Sequence, residues 1–441
     1  MRERVDNNRA LVFAIDYEGR GVAKVDGKTV FIRGALPYEE VEFRVVRSKK
    51  HFDEAEVTEI HTPSSDRVEP KCRHFGECGG CVLQHASAEA QVAYKQRIME
   101  EQLLHIGKVK PEHILPPIYA QPWGYRHRAR LSVKRKSAGR VMLGFKSRRS
   151  NEVVDLTMCP VLPQKIDRLF DPLRHLLQSL SPEAEIEAVE FLVGEAVTVL
   201  NICSVKSLSE KDLQRLKKFS DEFLSCGAEP WQIWLQVRKA KARPFYPKNM
   251  PDLFYTLSEF DIKMPFRPGD FTQINQDVNA LMISRAMRML GPHAEERIGD
   301  LFCGLGNFTL PLAKTGAQVL GIEGADYLVD RAVKSAEVNG CSENTYFEVA
   351  DLFTTKEATV ARWGKLDKML LDPPRSGAYE VVKALQGQFM PERIVYVSCN
   401  PATFARDANV IIKKGYKFKE VGVMNMFPQT AHVESVGLFL R

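Results

Sequence analysis

The sequence predicts a multidomain α/β protein: a C-terminal parallel α/β sheet closed by an antiparallel hairpin, an N-terminal small β-barrel, and a mixed β-rich region between them. Three observations carry this. After Pro265, strand patterns at 298–302, 319–323, 345–349, 368–371 and 394–398 alternate with helical stretches, including 327–338 and 402–413, the rhythm of a parallel sheet. Before residue 61, short alternating segments are punctuated by Gly and Pro. At 441 residues, the chain has room for about three domains of about 150 residues each.

Composition narrows the class. With 27% charged and 44% hydrophobic residues the chain can bury cores, which excludes global disorder. The 62 Lys and Arg exceed the 56 Asp and Glu by 6, an excess that favours a polyanion only where it is clustered. Neither an export signal nor a run of apolar residues long enough to cross a membrane is present in the sequence, so a cytoplasmic protein is expected. Nine cysteines, an odd number without an export signal, point to metal binding or nucleophilic chemistry rather than a disulfide framework.

Taken in order, segments 11–16, 22–25, 29–32, 41–47 and 54–60 suit five strands of a small barrel. Arg44, Arg47, Lys49, Lys50 and His51 gather at its later edge, as a track for a phosphate backbone or as a solvated rim. Turn formers at 61–71 mark a linker. Val92, Met99, Leu103 and Ile106 recur at helical spacing before Gly107, which predicts an amphipathic helix over 87–106. From 122 to 265, strands at 129–134, 141–145, 153–156, 189–193, 197–203 and 231–237 are interrupted by helices near 166–180 and 208–226. Within them, 123–136 interleaves aromatics with Arg and Lys, and Lys146, Arg148 and Arg149 follow. This is the best nucleic-acid-binding surface in the chain. Strands at 418–424 and 436–440 form the terminal hairpin. The expected division is 1–62, 63–265 and 266–441.

Four motifs fall at strand ends of the C-terminal sheet. Asp300-Leu-Phe-Cys-Gly304-Leu-Gly306 lets the backbone approach a ligand closely. Glu323 ends the next strand, 17 positions beyond Gly306, where a carboxylate can accept both hydroxyls of a ribose. The third glycine of a dinucleotide fingerprint is replaced by Thr309, so S-adenosylmethionine suits the loop better than NAD. Asp372-Pro-Pro-Arg375 holds a carboxylate in a stiff loop. Ser398-Cys399-Asn400-Pro401 places a thiol where a strand turns into a helix, a position that favours a lowered pKa and nucleophilic attack. His432 and Glu434 share a face at period two, and either could serve as a base.

Together these pieces resemble the RNA (uracil-5-)-methyltransferase family, as does Phe271-Thr-Gln273-Ile-Asn275 ahead of the sheet. The resemblance covers the whole chain. It implies a class I S-adenosylmethionine methyltransferase fold, Rossmann-like, and an OB-like TRAM barrel that binds RNA over residues 1–62. In that barrel Leu36-Pro-Tyr38-Glu39 stands where the family pattern has Gly after Pro. Cys72-x5-Cys78-x2-Cys81 with Cys159 is similar to the family's iron–sulfur members acting on 23S ribosomal RNA. Four thiolates can hold zinc or a cubane cluster; the resemblance implies a 4Fe–4S cluster, structural and RNA-positioning. It further implies Cys399 as the nucleophile at uracil C6, Glu434 as the base that removes the C5 proton, and Asp372 as the group orienting the uracil edge. The same resemblance implies cofactor contacts at Gln273, Phe302, Gly304, Gly306, Asn307, Glu323, Asp351 and Asp372. The expected activity is methyl transfer to C5 of a uridine extruded from a folded 23S ribosomal RNA segment, with no membrane and no obligate protein partner. A transfer RNA uracil-5 methyltransferase and a non-catalytic RNA-binding or ribosome-assembly factor are the alternatives. A dinucleotide oxidoreductase is disfavoured by the absent glycine.

Overall fold

The structure is a computed structural model and describes residues 8–136, 139–225 and 229–441. Its N-terminal sheet has six strands, Arg9–Leu11, Ala14–Ile15, Gly21–Val25, Lys28–Arg33, Glu40–Ser48 and Phe52–Thr62, in the order first, fifth, sixth, fourth, third, second. The strands at its two edges are separated in the chain by Val12 and Phe13 alone, so the sheet curls until its edges approach. Val12, Val30, Ile32, Val41, Phe43 and Ala55 fill the inside. The single strand expected over 11–16 is two, because the chain changes partner at the corner. The Val12 amide donates to Glu39 O at 2.9 Å and that of Phe13 to Val22 O at 2.9 Å.

The turn after Pro37 keeps the shape a glycine would permit: Tyr38 sits at φ 69°, a strained value for a residue with a Cβ, and is exposed. Its neighbour Glu39 is fully buried. It accepts from the Leu36 amide at 2.8 Å, the Ser64 amide at 3.2 Å, and Arg67 Nε and Nη2 at 2.5 and 2.8 Å. The segment after the barrel is thereby fastened to it.

The central sheet runs Arg243–Tyr246, Trp231–Val237, Thr198–Ser204, Ile186–Val193, Arg128–Arg135, Val141–Gly144. The strand expected at 153–156 does not form. That segment only follows the sheet through Val154 N to Phe145 O and Leu156 N to Leu143 O, both 2.9 Å. It lies so close that a Cβ on Gly144 would meet Val154 O at 2.1 Å. The helix expected over 166–180 breaks into Gln164–Asp167 and Phe170–Ser179, and that over 208–226 is Glu210–Phe219 with a π-turn at Ser220–Leu224. Its expected end at Cys226 lies outside the described residues.

The C-terminal sheet has eight strands: β1 (His113–Ile114), β2 (Arg297–Leu301), β3 (Gln318–Glu323), β4 (Thr345–Val349), β5 (Lys368–Leu371), β6 (Arg393–Ser398), β7 (Lys417–Met424) and β8 (Glu434–Leu440). Their order is β4-β3-β2-β5-β6-β8-β7-β1. Strands β4 to β6 are parallel, and β8 runs antiparallel between β6 and β7. Strand β5 is buried along its whole length, as expected of a parallel sheet covered on both faces. The chain progresses in opposite directions from β2, making the β2–β5 boundary the switch point where ligands bind in such sheets.

The β1 strand joins β7 from a segment that the sequence pattern assigns to the central region. So does α1 (Ala88–Gln102), which Ser87 caps through the Ala90 amide at 3.2 Å. Tyr94, Ile98 and Met99 of α1 share one core with Tyr396, Phe404 and Phe439.

Candidate active site

The cofactor loop begins where β2 ends. Phe302, Gly304 and Gly306 all take positive φ, at 66°, 55° and 91°, so the chain folds tightly on itself within five residues: the Phe302 amide still donates to Ile322 O at 2.8 Å and that of Gly306 turns back to Cys303 O at 2.9 Å. The Gly304 amide donates to Glu323 Oε2 at 3.2 Å, and the other Glu323 oxygen accepts from Gly324 and Ala325 at 2.8 and 3.2 Å. These bonds aim Glu323 across the loop mouth. Asp300 lies beneath, fully buried, with Oδ2 accepting from Thr309 Oγ1 at 2.5 Å. Burial pushes its carboxyl up to about 7. Thr309, standing in place of the third glycine, thus serves as an internal brace.

Asn307 is held by neighbours the sequence did not announce. Its amide exchanges two hydrogen bonds with Asn279, at 2.9 and 3.1 Å, and its oxygen also accepts from Tyr255 at 2.9 Å. Asp351 is exposed and caps the turn after β4 through the Phe353 amide at 3.0 Å. Gln273 is half-buried in the segment leading to the helix Gln276–Leu290.

Cys399, Glu434 and Asp372 come together at the switch-point end of the sheet. Ser398 pairs with Ser435 across β6 and β8, so Cys399 and Glu434 follow from adjacent positions on neighbouring strands. The turn carrying the thiol is stiff. Ser398 Oγ donates to Asn400 O at 3.0 Å and accepts from its amide at 3.1 Å, while Asn400 Nδ2 donates to Arg375 O at 3.0 Å. The thiol is partly exposed, whereas Glu434 is buried.

The charges are opposed to easy ionisation. Burial, then Glu434 and Asp372, pushes the Cys399 thiol up to about 12, with Arg375 pulling against them. The lowered thiol pKa expected from the helix start is therefore not met, because two carboxylates face the sulfur. Burial takes Asp372 up to about 7. Burial and Asp372 raise Glu434 well above the ordinary carboxyl value, opposed by Lys95 and Arg375. His432 lies outside β8 and is exposed. It takes a hydrogen bond from Arg375 at 3.0 Å, so the accepting nitrogen carries no proton and the ring is neutral.

The four cysteines converge as well. Cys72, Cys78, Cys81 and Cys159 line one cavity of about 370 Å³ with Phe75, Tyr125 and Arg148. Burial raises all four thiols, Cys81 to about 11. The loop beyond Cys81 is fastened to the loop before β8: Val82 and Leu83 amides both donate to Gln429 O, at 2.9 and 3.0 Å. Tyr125 adds a bond to Pro428 O at 2.8 Å. The cysteine cavity and the catalytic loop thus share a wall.

Much of the basic run is engaged internally. Arg128 pairs with Glu190 at 2.8 Å, Lys134 with Glu152 at 2.6 Å, and Arg135 donates to the carbonyls of Leu177 and Leu180 at 2.8 and 3.1 Å. Arg130 is exposed.

The profile of the tRNA (uracil-5-)-methyltransferase family matches residues 88–441. The chain belongs to this family. Its members are S-adenosylmethionine-dependent RNA uracil-C5 methyltransferases, and this chain is one of them. The TRAM domain profile matches residues 2–58. The chain is 55% identical to the 23S rRNA (uracil(1939)-C(5))-methyltransferase RlmD of Neisseria lactamica, over 98% of this chain and 95% of that one. With the enzyme of the same name from Nitrosospira multiformis, identity is 49%, over 97% of both chains. The solved tRNA (uracil-54, C5)-methyltransferase of Pyrococcus abyssi, in complex with S-adenosyl-L-homocysteine, superposes with a TM-score of 0.72 at 23% identity. It covers 98% of this chain and 100% of that one, a likeness of fold. Among the described residues no helix is long and apolar enough to cross a membrane.

Proposed function

We propose that this chain methylates C5 of one uridine in 23S ribosomal RNA, at the position its relatives' names give as 1939, through a covalent adduct on Cys399. The observation that carries the reading is the convergence of a partly exposed thiol with Glu434 and Asp372 at the end of the parallel sheet. Near-full-length identity of 55% to an enzyme named for that substrate supports the choice of RNA.

Uracil C5 is a weak nucleophile. Cys399 Sγ forms a bond to C6, and the displaced electron pair makes C5 electron-rich; one hard step becomes two easier ones. S-adenosylmethionine supplies the methyl group when bound, and Glu323, Gln273, Phe302, Asn307, Asp351 and the Gly304–Gly306 loop are the residues that would hold it. Glu434 then removes the C5 proton. The C–H electron pair closes the C5–C6 double bond and the Cys399 sulfur leaves. Asp372, raised by burial, can present a proton or a lone pair to the uracil edge. The Cys399 proton must depart before attack, and Glu434 and Asp372 are the carboxylates whose fields reach it.

The cysteine cavity supports a 4Fe–4S cluster. Zinc at about 2.3 Å from each sulfur needs sulfurs about 3.8 Å apart. Among the described residues, no three of these sulfurs lie within 4.8 Å of one another, and a cavity separates them. The barrel near 1–62 and the exposed Arg130 would hold flanking RNA in the cytoplasm, and the unit near 266–441 takes in α1 and β1 from the 63–265 stretch. Incubating the purified chain with 5-fluorouridine-substituted 23S RNA fragments tests the reading, because a C5 fluorine cannot leave as a proton. An adduct on Cys399 with the 23S fragment and none with transfer RNA is expected. The reverse preference would overturn the substrate.

A further inference from the structure

Lys95 is fully buried on α1. It donates to Asn425 Oδ1 at 2.7 Å and to Phe427 O at 2.9 Å. Both acceptors are neutral, and an ammonium removed from water with neutral partners alone is costly unless a counter-charge lies near. Burial pulls the Lys95 ammonium down to about 7, and the charge that holds it up against burial is that of Glu434.

The local topology explains how. Met424, the last residue of β7, pairs with Glu434, the first of β8. Asn425 and Phe427 begin the loop that joins the two strands and leads into Glu434. Lys95 therefore staples that loop from outside the C-terminal chain segment and sets a positive charge behind the carboxylate. The other groups facing Glu434 are Asp372, Cys399 and the Arg375 guanidinium, with the neutral His432 beside Arg375. Arg375 is at the exposed mouth, where water screens it. Lys95 is the cation on the buried side.

We propose that Lys95 is a positioning residue for the methyl transfer: it fixes the loop that leads into Glu434 and, when protonated, favours the carboxylate over the acid against burial and Asp372, so that Glu434 can take the C5 proton and release the methylated RNA. This rests on the reading of Glu434 as the base. In that step the proton passes from C5 to a Glu434 oxygen, the C–H pair becomes the C5–C6 π bond, and the sulfur–C6 bond breaks with its electrons returning to Cys399.

The test uses the full chain, S-adenosylmethionine and an unmodified 23S RNA fragment. Denaturing gels read the protein–RNA adduct while product is timed across a pH series. In Lys95→Met the adduct accumulates near neutral pH and release is about tenfold slower. Its half-maximal pH moves upward by about 1 unit, the low end of what loss of an opposite charge imposes on a carboxyl. Lys95→Arg restores release and profile. Should the methionine variant lose its fold, Lys95→Gln, which keeps a donor for Phe427 O, carries the same expectation. Uniformly slower release with the wild-type pH profile would mean that Lys95 is structural, and would overturn the proposal. Glu434→Gln separates the two readings: adduct at every pH supports the base, whereas wild-type release would remove Glu434 from the mechanism independently of Lys95.

Discussion

Tyr396 and Asp407 share a 2.7 Å hydrogen bond in the core directly behind the catalytic turn. The same Asp407 oxygen accepts from the Ala378 amide at 2.8 Å. One carboxylate thus ties β6, the loop that carries Asp372 and Arg375, and the helix Pro401–Lys413 that follows Cys399. Tyr396→Phe removes that bond and the one the hydroxyl accepts from the Ala378 amide at 2.9 Å, and leaves Asp407 with Arg406 and Ala378. It should cost about 1–2 kcal/mol, read as a lower urea midpoint, and slow methyl transfer without abolishing it.

Removing the thiol and removing the base should have opposite signatures. Cys399→Ala should bind RNA with affinity near that of the wild type and form neither adduct nor product. Turnover by that variant would exclude the sulfur from the reaction. Glu434→Gln should form the adduct and stall there, visible as a band shifted by the RNA under denaturing conditions.

The cysteine cavity should contribute stability as well as shape. Cys159→Ser should lose most bound iron in chemical analysis. A loss of about 2 kcal/mol from a unit of 150–250 residues should lower Tm by about 4–8 °C. Because Val82 and Leu83 grip Gln429, the same variant should also slow adduct release. Unchanged iron content would show that the four sulfurs do not bind a cluster.

The barrel junction should be acid-sensitive. Burial alone would raise Glu39, but Arg67 and the amides of Leu36 and Ser64 hold it below its ordinary value of 4.5. A depressed carboxyl stabilises the fold above its unfolded-state pKa, and that contribution is lost as pH falls through the folded-state value. Glu39→Gln should cost about 3 kcal/mol at neutral pH, as expected when one partner of a buried pair is removed. It should also flatten the stability curve below about pH 4.5, measured by denaturant titration at several pH values.

What could be read from the sequence was what depends on short-range pattern. The strand ends bearing Gly304, Glu323, Asp372 and Cys399 were legible because a hydrophobic run stopped at each of them. Glu434 was legible through period two beside His432, though His432 proved to lie before the strand. The segment 153–156 reads as a strand but lacks a full ladder: the Leu143 amide bonds the Asp155 side chain rather than a backbone carbonyl. The positions of β1 and α1 were not legible, because their partners are hundreds of residues away. Lys95 was hidden for a related reason. On an amphipathic helix a lysine reads as solvent-facing, and only the docking of α1 beneath the β7–β8 loop buries it. Nor could residue types alone indicate that the Cys399 thiol would be raised, since that follows from carboxylates arriving on other strands.

The bond between Lys95 and Asn425 spans 330 positions of the chain. During synthesis at about 5–20 residues per second, α1 emerges tens of seconds before the loop that covers it. For most of that interval Tyr94, Ile98 and Met99 lack Tyr396, Phe404 and Phe439, with which they share a core. The reaction centre is therefore among the last parts of the molecule to assemble, and a nascent chain still short of its final hairpin has no means of modifying RNA.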